Sequence, residues 1–133
     1  MQRLAATYIL PLRKETDAEL GELTEYLQKL SAIVDVIVVD NSAPDIFARH
    51  HNTWNLFATH IAPDADCLTA NPKVGNVTTG VRKATEAIVV ADDDVRYAPD
   101  VLREILGRLT HADVVRPANY FFPLVWHAAL DTA

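Results

Sequence analysis

Short apolar runs alternate with helical patterns along most of this chain of 133 residues. Residues 33–39 are nearly all Val and Ile, and such a run predicts a strand buried on both faces of a parallel sheet. Further apolar runs predict strands at residues 5–12, closed by Pro11, at 67–70, at 87–91 and from 112 to 115.

Between the first two strands, leucines recur at helical spacing, at positions 20, 23, 27 and 30. This spacing predicts an amphipathic helix, because the four side chains share one face. Thr16 is expected to be the N-cap of this helix, and Glu19 completes the pattern of a capping box.

Three further helical segments are predicted later in the chain. Residues 44–57 are expected to hold one or two short helices, and residues 75–86 one helix with Val77, Val81 and Ala84 on its inner side. Pro99 suits the first turn of another helix, since proline is favoured there.

Strands that alternate with helices predict an α/β fold with a mostly parallel sheet, flanked by helices that cross over from one strand to the next. In such sheets, ligands bind outside the carboxyl ends of the strands. The residues that follow each predicted strand are therefore the first candidates for a functional site.

Composition narrows the class of protein. Half of the residues are hydrophobic and the formal net charge is −6, which fits a globular domain and argues against a general nucleic-acid binder. The single cysteine, Cys67, excludes an internal disulfide framework and fits the cytoplasm; we expect it to be a small core residue. No apolar stretch reaches the roughly 18 residues that a membrane span needs.

Polar side chains follow four of the predicted strands. Arg13 follows the first strand, Asp40 the second, and Lys73 with Asn76 the third, while three aspartates, Asp92, Asp93 and Asp94, follow the fourth. Because the carboxyl ends of parallel strands share one edge of the sheet, these groups are expected to lie close together.

The three adjacent aspartates carry the most specific chemistry. On an extended strand end, Asp92 and Asp94 point to one side and Asp93 to the other. Two carboxylates on one side can hold Mg²⁺ or Mn²⁺ together with substrate phosphates, since both ions favour oxygen ligands. The alternative interpretation is a solvated acidic turn before the helix that begins near Pro99.

Other candidates also have two interpretations. Asp40 can accept hydrogen bonds from a ribose or a base, or it can cap the turn formed with Asn41 and Ser42. Lys73 with Gly75 and Asn76 can approach a phosphate, or Lys73 can be an ordinary surface lysine, because no Walker spacing is present.

The histidines are weak signals in the sequence. His50 and His51 are adjacent and are not expected to share one face, and no third ligand stands at zinc-like spacing. His60 and His111 are expected in loops or at helix ends, and His127 in a plain packing role.

Four segments together resemble the N-terminal, donor-binding half of family 2 glycosyltransferases, which have the GT-A fold. They span residues 8–95 and read Tyr-Ile-Leu-Pro-Leu-Arg at 8–13, Val-Ile-Val-Val-Asp-Asn-Ser at 36–42, Asn-Pro-Lys-Val-Gly-Asn at 71–76 and Val-Val-Ala-Asp-Asp-Asp-Val at 89–95. The resemblance implies transfer of a sugar, with inversion, from a nucleoside diphosphate to an acceptor hydroxyl. A UDP-type donor is favoured, and the acceptor is unknown.

The resemblance also implies residue roles. Asp94 would bind the Mn²⁺ or Mg²⁺ that bridges the diphosphate, together with Asp92, which would approach the ribose side. Asp93 would belong to the nucleotide-sugar site and would have a structural role there. The remaining nucleotide-sugar contacts would be Pro11, Leu12, Arg13, Asp40, Lys73, Gly75 and Asn76.

The acceptor-side motif of the family has no counterpart in these residues. We expect one nucleotide-sugar-binding domain over 1–133, with a donor-binding core at 1–115 and the start of an acceptor-side segment at 116–133. The general base is expected beyond residue 133, in a longer chain of which this one is a truncated part. The apolar residues 120–130 would invite association with a second copy. The expected location is the cytoplasm, or the membrane surface for the full-length protein.

Two other functions remain open at this stage. A metal-dependent phosphotransfer or phosphatase domain would use Asp92 or Asp94 as nucleophile, but it would leave Asp40 and Lys73 without a shared purpose. A non-catalytic α/β association module would bind no nucleotide at all.

Overall fold

The computed structural model describes residues 3–16, 20–68, 71–84 and 86–108. The chain divides into two compact units, Met1–Asp93 and Asp94–Ala133. The first unit contains the sheet and the groups that follow its strands.

The first unit is built on a sheet of four parallel strands, which confirms the predicted α/β class. The strands lie in the order β3-β2-β1-β4, so β1 is flanked by β2 on one side and by β4 on the other. Their bounds are Ala6–Leu12 for β1, Asp35–Asp40 for β2, Thr59–Ile61 for β3 and Ala87–Val90 for β4.

Three helices and one 3-10 turn connect the strands. Helix α1 spans Gly21–Ser31, α2 spans Pro44–Trp54 and α3 spans Pro72–Lys83, and the 3-10 turn covers Ala65–Cys67. Parallel neighbours need such crossover connections, because a tight turn cannot bring the chain back to start a strand in the same direction.

The helices cover the two faces of the sheet. Tyr8 of β1 contacts Tyr26 of α1 edge to face, with ring centroids 6.3 Å apart, and Trp54 of α2 donates from Nε1 to Thr24 Oγ1 of α1 at 2.8 Å. These contacts place α1 and α2 together on one face. Ile9 points to the opposite face, where it meets Gly80 of α3.

Small residues form the inner side of α3, which differs from the prediction. Gly75, Asn76, Thr79 and Gly80 are buried, whereas Val81 is 42% exposed. A Cβ at Gly80 would lie 2.6 Å from Ile9 Cγ2, so only a helix with small residues can pack this closely on β1.

Strand β1 ends at Leu12, which confirms the predicted end of the strand, but the chain continues in the strand through Pro11, so Pro11 does not close it. Pro11 pairs in register with Val39 of β2, whereas the pairing of β1 with β4 ends two residues earlier, at Ile9, whose backbone oxygen accepts from Ala91 N–H. Pro11 has no N–H with which to continue the ladder on the β4 side. The two strands therefore part beyond this point.

Three other predicted boundaries also need correction. Helix α1 begins at Gly21 with Leu20 as its N-cap, so Thr16 is not the cap. Cys67 lies in the 3-10 turn, and the third strand is Thr59–Ile61, which is too short to show alternation. Helix α3 begins at Pro72, three residues earlier than predicted, because the Asn71 side chain accepts from Val74 N–H.

The described part of the second unit contains helix α4, Pro99–Arg108, which confirms the predicted start at Pro99. Leu102 and Ile105 are its buried residues. The predicted strand at 112–115, the segments 116–133 and 120–130, and the side chains of His111 and His127 lie outside the described residues. Within the described ranges, no helix has the length and apolar character of a membrane span.

Candidate functional site

Charged side chains meet where β1 and β4 part, at the edge of the sheet where the sequence predicted a site, but the cation after β1 is Lys14 and not the predicted Arg13. Lys14, just after β1, forms an ion pair with Asp93, and Lys73 of α3 lies 2.6 Å from the Asp92 carboxylate. We call these four residues the strand-end site. Its position fits the rule for open α/β sheets, because β2 and β4 lie on opposite sides of β1 and the strand order reverses there.

The charges of the strand-end site balance, with two ammonium groups and two carboxylates. All four side chains are partly exposed, from 34% for Asp93 to 58% for Lys73. A ligand can therefore reach them. Carboxylate oxygens suit Mg²⁺ and Mn²⁺, and ammonium groups suit phosphate, so the four residues fit both parts of a metal–diphosphate complex.

Asp94 belongs to the second unit and is exposed. Its role as metal ligand stays a prediction. Arg13 is also exposed, and its Nε lies 3.6 Å from Glu15. Pro11 and Leu12, in contrast, are buried within β1, so their side chains support the sheet instead of offering a surface to a ligand.

Gly75 and Asn76 hold α3 against the sheet. A Cβ at Gly75 would lie 1.9 Å from the backbone oxygen of Cys67, so the 3-10 turn can approach the helix only because residue 75 is glycine. Asn76 Nδ2 donates to Val39 O at 3.1 Å and to Leu12 O at 3.4 Å, at the ends of β2 and β1. These contacts fix the start of α3, and with it Lys73.

A second group of polar residues is buried between α2 and the strands β2 and β3. Asp40 Oδ2 lies 2.6 Å from His50 Nδ1 and 2.8 Å from His60 Nε2, and all three side chains are 0% exposed. His51 Nδ1 lies 2.9 Å from His60 Nδ1. We call Asp40, His50, His51 and His60 the histidine cluster.

The hydrogen-bond partners of Asp40 determine whether its carboxyl group is ionised. Burial alone would raise the pKa of this carboxyl, but hydrogen bonds with His60, Ser42 and His50 outweigh burial and lower the pKa from 3.8 to about 2. Asp40 is therefore an ionised carboxylate at neutral pH. It can only accept hydrogen bonds, so His50 Nδ1 and His60 Nε2 must each carry the hydrogen that they share with it.

The proton positions on the other ring nitrogens follow in turn. His50 Nε2 is buried without a hydrogen-bond partner among the described residues, so a second hydrogen there would be an unsatisfied buried donor. The His50 ring stacks on the Trp54 ring, with 4.6 Å between the two centroids. One hydrogen lies between the two Nδ1 atoms of His51 and His60.

The structure bears on both interpretations of Asp40. Asp40 Oδ1 accepts from Ser42 N–H at 2.9 Å, which is the turn-capping arrangement. The carboxylate has no exposed atom with which to contact a ribose or a base. The Asp40 side chain thus supports the turn after β2, and its role as a nucleotide contact stays a prediction.

Asp40, His50 and His60 offer three ligand atoms within 4.8 Å of one another, which raises the question of a metal. Ligands around a tetrahedral zinc ion lie about 3.3 Å apart, given zinc–ligand bonds of roughly 2 Å. The observed separations of 2.6 and 2.8 Å are those of hydrogen bonds. The geometry therefore favours shared hydrogens over a metal ion within this cluster.

The sequence pattern did not predict the histidine cluster. His60 lies in β3, not in a loop, and the adjacent His50 and His51 both reach the cluster, His50 directly and His51 through His60. One signal was available, because Ile46, His50 and Trp54 stand at intervals of four in α2 and share its buried face. The pairing with Asp40, in contrast, depends on how α2 and β3 return to the sheet.

A third polar group lies beside the 3-10 turn. Arg82 Nη1 bonds to Asp64 and Asp66 at 3.1 and 2.9 Å, and its Nη2 bonds to Asp66 at 2.9 Å. The Arg82 guanidinium lowers the pKa of the Asp66 carboxyl. This exposed network joins α3 to the turn, and the neighbouring Cys67 is buried, as expected for a packing residue.

No family model matches the chain, and no curated protein matches it either. The parallel α/β sheet is shared by proteins of many functions, so the fold by itself selects none of them. The side chains at the strand-end site therefore have to carry the functional proposal.

Proposed function

We propose that this chain is the donor-binding part of a glycosyltransferase similar to family 2. In this proposal, the strand-end site binds a nucleoside-diphosphate sugar together with Mn²⁺ or Mg²⁺, and the sugar passes to an acceptor hydroxyl with inversion. The observation that carries the proposal is the meeting of Lys14–Asp93 and Lys73–Asp92 where β1 and β4 part.

The chain's own residues have distinct parts in this proposal. The ammonium groups of Lys14 and Lys73 would leave their aspartate partners and bind the phosphate oxygens of the donor. Asp92 would turn to the metal, with Asp94 as the second ligand that the resemblance implies. The bound ion would neutralise the charge that develops on the departing diphosphate.

The starting ion pairs do not prevent this exchange. Exposed ion pairs contribute only about 0–1 kcal/mol each, because water screens them. A hydrogen bond between an ammonium group and a phosphate is charge-assisted and stronger than a neutral one. The exchange of partners can thus favour the complex while the total charge of the site stays balanced.

Calorimetric titration tests the proposal. UDP and GDP are titrated with and without Mn²⁺ into the wild type, into Asp94→Ala and into Asp100→Ala, an exposed aspartate of α4 that serves as control. We expect metal-dependent binding that Asp94→Ala loses and Asp100→Ala keeps. Absence of nucleotide binding under every condition would refute the proposal. A phosphatase would instead bind beryllofluoride without any nucleoside.

A further inference from the structure

A series of hydrogen bonds runs from the histidine cluster to the backbone of Lys14, whose side chain belongs to the strand-end site. His50 and His60 donate to Asp40 Oδ2, and Asp40 Oδ1 accepts from Ser42 N–H at 2.9 Å. Ser42 Oγ in turn accepts from Lys14 N–H at 2.9 Å. The Lys14 ammonium then pairs with Asp93.

Each bond in this series depends on the one before it. Asp40 keeps its charge in a fully buried place only because its oxygens accept several hydrogen bonds. The Ser42 hydroxyl also bonds to the Asp40 side chain, which orients the Oγ lone pairs that receive Lys14 N–H. Loss of a histidine donor would therefore loosen the turn after β2 and the backbone after β1.

We propose that His50 and His60 are positioning residues for the strand-end site, and that they act through Asp40 and Ser42 to fix the backbone of Lys14. The ligand that benefits is the one named under the proposed function. The positioning itself is a property of the unliganded chain and can be measured without any ligand.

A plain packing role does not account for the arrangement. Imidazole rings buried only to fill space would be replaced at little cost by apolar side chains, whereas here two rings aim N–H groups at the same carboxylate oxygen. The other oxygen of that carboxylate accepts from Ser42 N–H, and the Ser42 hydroxyl accepts from Lys14 N–H. These hydrogen bonds thus connect the buried histidine cluster with the backbone beside the strand-end site.

Amide hydrogen exchange, read residue by residue by NMR, tests the proposal. The reporters are the amides of Ser42 and Lys14, which donate into the series. The variants are His60→Leu, which removes the donor, and His60→Gln, which returns an amide N–H near the position of Nε2. Ser42→Ala cuts the series beyond the cluster and remains informative if His60→Leu fails to fold.

Thr24→Val is the matched control. It removes the acceptor of Trp54 Nε1–H, a hydrogen bond between α1 and α2 that lies outside the series. Exchange rates are compared after normalisation to the amide of Val38 in the centre of the sheet. A general loss of stability then cancels, and only a local effect at the turn remains.

The predicted pattern is specific. In His60→Leu, exchange at Ser42 and Lys14 rises by about tenfold, the factor for loss of roughly one hydrogen bond. His60→Gln restores slow exchange at both amides, Ser42→Ala accelerates Lys14, and Thr24→Val changes neither ratio. Unchanged exchange in a folded His60→Leu, or an unchanged Lys14 amide in Ser42→Ala, overturns the proposal.

The state of the rings gives a second readout. Ring nitrogen shifts should show a hydrogen on His50 Nδ1 and another on His60 Nε2, and Ser42→Ala should leave both signatures intact. A metal-bound signature at His50 and His60, lost on chelation, would also overturn the proposal, since the hydrogens would then be absent. If exchange follows the prediction but no nucleotide binds, the proposed function fails and the positioning stands.

Discussion

The ammonium of Lys14 and the carboxylate of Asp93 form an ion pair across the gap between the ends of β1 and β4. The two residues are 79 positions apart in the sequence. They meet because the strand order places β4 beside β1, on the side opposite to β2. This gap is the place where an open parallel sheet offers its strand ends to a ligand.

The lysines of the strand-end site should contribute to donor binding. Lys14→Met and Lys73→Met each remove an ammonium group while they keep most of the side chain's volume. We expect each to weaken binding of UDP with Mn²⁺ by about tenfold or more, the range for a lost charged hydrogen bond. The measurement is calorimetry, with Lys29→Met as control, since Lys29 pairs with Glu25 on the exposed side of α1. Equal affinities in all three variants would contradict the assignment.

Gly75→Ala should destabilise the first unit. The new Cβ would lie 1.9 Å from the backbone oxygen of Cys67, and a backbone atom cannot move aside as a flexible side chain can. Overpacking of this kind costs about 1–3 kcal/mol, and more where the backbone must shift. Urea unfolding checks this, with Gly21→Ala as control because nothing lies within 4 Å of its Cβ. The control should keep or slightly raise the stability.

Asn76→Ala should also lower stability, for a different reason. The substitution leaves the carbonyl groups of Leu12 and Val39 without their shared donor at the end of the sheet. Each lost hydrogen bond contributes about 0.5–1.5 kcal/mol, and Leu12 O keeps Asn41 N–H as a donor. The exposed Asn52→Ala on α2 serves as control in the same urea titration. Equal unfolding midpoints for the two variants would show that these hydrogen bonds contribute little.

Asp40 should make the protein sensitive to acid. Its folded pKa of about 2 lies below the ordinary value of 3.8, so its contribution is complete above pH 4 and is lost as the pH falls through 2. The shift corresponds to about 2 kcal/mol of unfolding free energy. Urea unfolding from pH 5 to pH 2, followed by tryptophan fluorescence, compares the wild type with Asp40→Asn. The difference should shrink toward low pH, and a constant difference would contradict the ionised state.

The sequence was most informative where one local pattern decides the structure. The Val and Ile residues of β2 predicted burial on both faces, and residues 36–39 are buried. Pro99 predicted the start of α4 for a similarly local reason. The contact between Lys73 and Asp92 was also predictable, because the carboxyl ends of parallel strands lie at the same edge of the sheet.

Contacts between residues far apart in the sequence could not be predicted from local patterns. Nothing near Asp40 indicates that two histidines 10 and 20 residues later will share its Oδ2 atom. The prediction that Cys67 begins a strand also failed, since three-residue strands such as β3 carry almost no periodic signal. Both features depend on how the connections pack, which the local pattern does not encode.

The most direct test of the central claim is where Mn²⁺ binds in the presence of UDP. The paramagnetic ion broadens nearby amide signals in a nitrogen–proton NMR spectrum, and the assigned spectrum then maps its position. We predict that UDP with Mn²⁺ first broadens residues 92–94 together with the amides of Lys14 and Lys73. Broadening centred instead on Asp64 and Asp66, or on His50 and His60, would contradict a metal–diphosphate site at the ends of β1 and β4.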